Sequence, residues 1–150
     1  MRTKKKSEQS RINPELIVRG IAVRDGKVLV CQAKGFSHWF FPGGHIEMNE
    51  SASQALKREF AEELGIVAQG GKFMGAVENF YAHGKVRHHE VSLVFRVGVK
   101  NVKIESKEDH LKFRWIPVTA LRRTEVLPRA MKLAVRRWLG NKQSFWVTQK

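Results

Sequence analysis

Residues Gly43 to Ile66 read GGHIEMNESASQALKREFAEELGI, and the reading of this stretch decides the fold. From Gly44 the order is Gly, five residues, Glu50, seven residues, then Arg58-Glu59-Phe60-Ala61-Glu62-Glu63-Leu64-Gly65-Ile66. Seven of those positions hold a fixed residue type at a fixed offset. If each type occurs about once in twenty, a chance match is on the order of 10⁻⁹ per start position. Ser51 followed three residues later by Gln54 is a capping-box pattern, which begins a helix. Gly65 suits the left-handed residue that ends one. Between them Ala52, Ala55, Leu56, Phe60 and Leu64 recur at helical spacing and form a stripe to be buried.

Glu59 lies three residues before Glu62 and four before Glu63, so the three carboxylates share one face. Like charges at that spacing oppose a helix, and something positive must offset them. Arg58, in the same helix, is one candidate, holding a carboxylate such as Glu50. A hard cation is the other, since Mg²⁺ prefers carboxylate oxygens and bridges substrate phosphates. A solvated acidic face is the plain alternative for a lone E-x-x-E-E. Both glycines, Glu50 and Arg58 in register weigh against it.

On those residues the stretch resembles the box of the Nudix hydrolases, the MutT-like family. The match covers all the fixed positions, with one soft departure at Phe60, where a bulky aliphatic residue is more usual. The resemblance implies an α/β fold: an α/β/α sandwich around a mixed β-sheet, with the box helix on one face. It implies a loop–helix–loop that binds a divalent metal and positions a diphosphate for attack by water. Carried over residue by residue, Glu59, Glu62 and Glu63 become the metal ligands, the Gly43 carbonyl joins them, and Glu50 pairs with Arg58. The implied cofactor is Mg²⁺, with Mn²⁺ as the substitute.

At 150 residues the chain has the size of one domain with a substantial core. Hydrophobic residues make up 42%, ordinary for a globular protein. No apolar run approaches the roughly 18 residues of a membrane span. The N-terminal MRTKKKSEQSR is basic and lacks the apolar stretch of a secretory signal. Residues 1–12 are expected to be a disordered basic tail, and residues 13–150 a single Nudix domain. Cys31 is the only cysteine, which excludes an internal disulfide and fits a reducing, cytoplasmic location. The 28 Lys and Arg against 14 Asp and Glu give a net charge of +14, which attracts polyanions. RNA and small charged nucleotides both fit that excess, and so does a solubilising surface.

In chain order, Glu15 to Val23 and KVLVCQA read as strands joined at Asp25-Gly26, the expected first hairpin of the sheet. Lys34 follows, placed to contact phosphate or simply exposed at a strand end. HWFFPGGHIE resembles the family's W-x-F-P-G-G run, either displaced by one residue at the tryptophan or with Phe40 and Phe41 in its aromatic slots. Trp39 and Phe41 are candidates to hold the substrate, against a packing role for the tryptophan. Lys72 to Tyr81 and Val86 to Val99 read as two long strands meeting at His83-Gly84. Glu90 reaches the site from the sheet or pairs across strands. His88 and His89 cannot face the same way on a strand. Asp109 to Trp115 resembles the E-H-x-x-Y-R-W segment of dinucleoside tetraphosphate hydrolases and other Nudix enzymes. Asp109, with Glu108 as substitute, is the candidate extra ligand or base. A closing helix runs from Pro128 toward Gly140, with Arg129, Lys132 and Arg136 on its outer side. The apolar Phe145, Trp146 and Val147 then form a short strand or cover a partner subunit, the chain being a monomer or homodimer.

The chemistry that follows is metal-assisted hydrolysis of a phosphoanhydride bond, with Arg58, Glu62, Glu63 and Asp109 as catalytic residues. The substrate expected is a nucleoside diphosphate linked to another group, favouring a nucleotide sugar or dinucleoside polyphosphate. Free nucleoside triphosphates and RNA carrying a 5′-triphosphate are the enzymatic alternatives. A non-catalytic nucleotide-binding module is the alternative of another class, and the intact set of box carboxylates speaks against it.

Overall fold

The structure, a computed structural model, describes residues 13–100 and 103–150, so the expected basic tail lies outside the described residues. Strand β1 (Glu15–Arg24) turns through Asp25 and Gly26 into β2 (Lys27–Ala33). Asp25 and Gly26 both take positive φ, as a two-residue hairpin turn demands. The hairpin pairs only at its base, Val23 with Val28 and Arg24 with Lys27. Beyond that point β2 leaves β1 and pairs along its length with β6 (Leu111–Pro117).

The vacated edge of β1 is taken by the segment leading into the acidic helix. The short β3 (Gly43–His45) pairs with Ile17–Arg19, and the Gly20 amide donates to the Pro42 carbonyl at 2.8 Å. This fixes the start of α1 (Ala52–Leu64) against the centre of the sheet. The other edge of β1 runs parallel to β5 (Val86–Gly98), which pairs antiparallel with β4 (Gln69–His83). The C-terminal residues add the expected short strand: β7 (Phe145–Gln149) lies parallel to β4. The sheet order is β6-β2-β1-β5-β4-β7, with β3 beside β1.

Two cores result from the alternation of side chains along the strands. Val18, Ala22 and Leu29 pack on one face with Leu56, Phe60 and Leu64 of α1. Ile21, Val28, Val30 and Val77 pack on the other with Met131, Val135 and Trp138 of α2 (Arg129–Asn141). That is the α/β/α sandwich with a mixed sheet. Helix α2 runs one residue past Gly140 and closes on Lys142 in the left-handed conformation. The Gln149 side chain accepts from the Ala130 amide at 2.9 Å, tying β7 to the first turn of α2. No helix among the described residues is long and apolar enough to cross a membrane.

Phe60, the one departure from the box pattern, has a structural reason. Its ring is fully buried directly over Gly20, where a β-carbon would collide with it. The missing side chain on β1 makes room for the larger one on α1. Phe60→Ala is therefore expected to lose about 3–5 kcal/mol of unfolding free energy in a urea titration. Gly20→Val is expected to destabilise by about 1–3 kcal/mol through overpacking. A Gly20→Val protein as stable as the wild type would show that the ring is not held there.

Candidate active site

Helix α1 begins with the reciprocal cap read from the sequence. The Gln54 amide donates to Ser51 Oγ at 3.2 Å and the Ser51 amide to Gln54 Oε1 at 2.8 Å. It ends on Gly65 at φ 63°, ψ 25°. Arg58 lies at the centre of the acidic face. Its Nε and Nη2 donate to the two oxygens of Glu50 at 2.8 and 3.0 Å. Nη1 donates to Glu59 at 2.9 Å and to Glu62 at 3.3 Å, and Nη2 also donates to the His45 carbonyl at 2.9 Å. The hydrogen bond from Arg58, reinforced by the Glu47 amide, holds the Glu50 carboxyl below its ordinary value. Gly44 lies directly beneath Glu59, and a β-carbon there would push the Glu59 carboxylate aside.

Glu63 is the exception. Its residue is buried, and its Oε2 has no hydrogen-bond partner among the described residues. Burial, and then the like charge of Glu59, push its carboxyl up to about 8, against the pull of Arg19 and a backbone hydrogen bond from Gly43. A buried carboxylate with an open oxygen, beside a second carboxylate, is the donor set a hard divalent cation takes. The residues therefore fit such an ion, with Glu59 and Glu63 inside, and Glu62 on the exposed rim beneath Arg58. Among the described residues no three acidic, histidine or cysteine side chains converge as a formed metal cage, and Arg58 engages Glu59 and Glu62. The Gly43 carbonyl, expected as a ligand, accepts from Arg19 Nη1 at 3.3 Å and keeps a second lone pair.

The acidic loop places Glu108 on its inner side, 3.1 Å from His110 Nε2. Glu108 is half-buried and its charge is felt at Glu63, whereas Asp109 is exposed on the turn. The Lys107 amide donates to the Glu63 carbonyl at 2.8 Å and docks this loop on the end of α1. Of the two expected carboxylates, Glu108 lies nearer the box and Asp109 faces outward.

A cavity of about 440 Å³ opens on the opposite face of the sheet, lined in part by Arg19, Phe40, Asn79, Tyr81 and Glu90. Arg19 joins it to the box. The side chain lines the cavity while Nη1 donates to the Phe41 carbonyl at 3.1 Å and to Gly43. Glu90 sits in this cavity and accepts from Tyr81 Oη at 2.7 Å, so it pairs across strands with a tyrosine. His88 stacks on Tyr81, and His89 lies on the other face, stacked on Phe80 and bonded to Glu78.

Three expected substrate contacts lie outside the cavity lining. Phe41 is fully buried in the core. Trp39 packs against that same core, bonds through its backbone to Glu125 and Leu127, and does not line the cavity. In this extended segment neighbouring side chains alternate, so Phe40 faces the cavity between two inward rings. Lys34 is exposed, its amide bonded to the His110 carbonyl, and it lies outside the cavity lining. The residues missed are Arg19 and Asn79. Arg19 was visible as a lone cation in an apolar strand. Asn79 is buried mid-strand with an unpartnered Oδ1. Cys31 is buried and its thiol pushed up to about 12, chiefly by burial, which leaves no nucleophile there.

The raised Glu63 has a measurable consequence. Native Glu63 keeps its proton up to about 8, while an unfolded carboxyl releases it near 4.5. Between those values the native state binds the extra proton, so stability falls as pH rises through the window. In metal-free protein, Glu63→Gln is expected to flatten this fall and to melt at least about 2 °C higher at its upper end, roughly 1 kcal/mol. Adding Mg²⁺ should raise the wild-type melting temperature there and leave the variant unmoved. Parallel pH profiles, or equal responses to Mg²⁺, would remove Glu63 from both roles.

Comparison with known proteins agrees with this geometry. The NUDIX domain family model matches residues 14–138. The 8-oxo-dGTP diphosphatase of Buchnera aphidicola subsp. Schizaphis graminum (strain Sg) is 31% identical over 104 residues, 67% of this chain and 75% of the relative. The CTP pyrophosphohydrolase of Escherichia coli (strain K12) is 37% identical over 92 residues, 49% of this chain and 68% of the relative. The crystal structure of a MutT protein from Bacillus halodurans superposes with a TM-score of 0.76 at 21% identity, over 89% of this chain and 88% of the other, a likeness of fold. With the family model spanning most of its length, and the box intact, the chain belongs to the NUDIX family as a hydrolase of phosphoanhydride bonds.

Proposed function

We propose that the chain hydrolyses a nucleoside triphosphate to the nucleoside monophosphate and pyrophosphate, with a divalent cation. The observation that carries this reading is Arg19, which lines a nucleoside-sized cavity and bonds the backbone entering the box. A base in the cavity meets the unpartnered amide oxygen of Asn79, the Tyr81–Glu90 pair and the Phe40 ring. The phosphates then extend past Arg19 toward Glu59 and Glu63. Preference for a nucleotide sugar or dinucleoside polyphosphate rested on the segment from Asp109 to Trp115. Asp109 is exposed, and Phe113 and Trp115 pack against the α1-side core, so the present reading is built on the cavity and not on that segment. The two named relatives act on triphosphates by their names, which supports the same substrate class.

A bound Mg²⁺ or Mn²⁺ would neutralise phosphate charge and lower the pKa of the attacking water. Glu59 and Glu63 are the residues that would hold it. Arg58 fixes Glu50 and the start of the helix, and keeps Glu59 and Glu62 in place. Glu62, exposed on the rim, accepts the proton of the water as its oxygen bonds to phosphorus and the bridging P–O bond breaks. Positioning and electrostatics supply most of the rate in such a reaction.

A phosphate-release panel with Mg²⁺ tests this, comparing nucleoside triphosphates, nucleotide sugars and dinucleoside polyphosphates. Triphosphates are expected to turn over fastest, with a kcat lowered about 10²-fold or more in Glu63→Gln. Asn79→Ala is expected to raise KM about fivefold, the worth of one hydrogen bond, with kcat nearly unchanged. Preference for nucleotide sugars, or turnover indifferent to Glu63→Gln, would defeat the reading.

A further inference from the structure

Three recesses follow one another along the segment from the 3₁₀ turn Val118–Arg122 through α2. The nucleotide cavity is walled there by Leu127 and Pro128. The flanking Val126 and Arg129 belong to a second recess of about 300 Å³, which also carries Arg123, Lys132 and Leu133. Leu133 is shared with a third, of about 600 Å³, lined by Val118, Thr119, Arg122, Leu133, Arg136 and Arg137. Helix α2 turns Met131, Ala134, Val135 and Trp138 into the core, which leaves its basic side chains outside.

The charge on this surface is one-sided. Between Val118 and Asn141 there are six Lys and Arg against the single acidic Glu125. None of the five arginines has an ion-pair partner among the described residues. Among these cations sits an apolar centre, with Leu133 53% exposed. Guanidinium groups take phosphates in bidentate fashion and stack on base planes. The alternation of cation and apolar floor matches a chain that alternates phosphates with flat bases. A single small anion would use one recess, and inorganic polyphosphate has nothing to set on Leu133. We propose that the face formed by the 3₁₀ turn and α2 binds a single-stranded polynucleotide through its phosphodiester backbone, leading one end toward the nucleotide cavity. Only the second part, the route into the cavity, rests on the function proposed above.

The test uses the full chain and fluorescence anisotropy with RNA and DNA strands of roughly 12 nucleotides, within the site sizes of single-strand binders. The strands carry a 5′-hydroxyl, so binding is read with no anhydride to cleave. In the triple variant Arg122→Ala, Arg136→Ala, Arg137→Ala, affinity is expected to fall at least about tenfold at physiological ionic strength. The slope of log K against log salt is expected to shrink by about 2, three phosphate contacts at roughly 0.7 each. Equal loss for RNA and DNA marks a backbone contact, and loss for RNA alone marks a contact to the 2′-hydroxyl; both support the proposal. Unchanged affinity and slope would overturn it, as would inorganic polyphosphate binding as tightly as the strands and losing as much. Hydrolysis of a free triphosphate should remain at the wild-type rate in the variant, which also shows that it folds. Absence of any triphosphate turnover would defeat the proposed function and leave the binding result standing.

Discussion

The guanidinium of Arg58 is the constraint on which the site depends. It donates to both oxygens of Glu50, to Glu59, to Glu62 and to the His45 carbonyl, within a helix whose acidic spacing would otherwise oppose its formation. Because Glu50 and His45 precede the helix, the same group ties the incoming loop to α1. That loop is itself held on the edge of β1 through Gly43–His45. The planar fork of arginine suits this task, and a lysine would satisfy fewer of these acceptors.

One positive group cannot balance every carboxylate, and the arrangement leaves Glu63 over. Its oxygen is buried without a partner while its neighbour Glu59 is engaged by Arg58. An uncompensated buried carboxylate costs stability, and a divalent ion held there would offset that cost. The acidic centre is set in a chain of net charge +14, an excess that attracts polyanions.

Arg19 connects this centre to the other face of the sheet. From a central strand its side chain lines the cavity and its terminal nitrogen bonds the carbonyls that bracket Pro42. Burial lowers the guanidinium from its ordinary value, and the charges of Glu90 and Glu63 act in the opposite sense. One residue thus touches both the cavity and the backbone entering the box.

The amino-acid sequence by itself determined the box helix, its caps, the Arg58–Glu50 pair and the strands on either side. Each depends on contacts within a few residues or on a period that the chain displays directly. Only the tertiary structure decided which aromatic of Trp39-Phe40-Phe41 meets the cavity, because one step along an extended segment reverses the face. That Glu108 turns inward and Asp109 outward follows in the same way from how the loop docks on the end of α1. Arg19, Asn79 and the parallel pairing of Phe145–Gln149 with β4 join positions far apart in the chain. No local pattern carries such pairings, since they arise from which strands lie side by side once both faces of the sheet are covered.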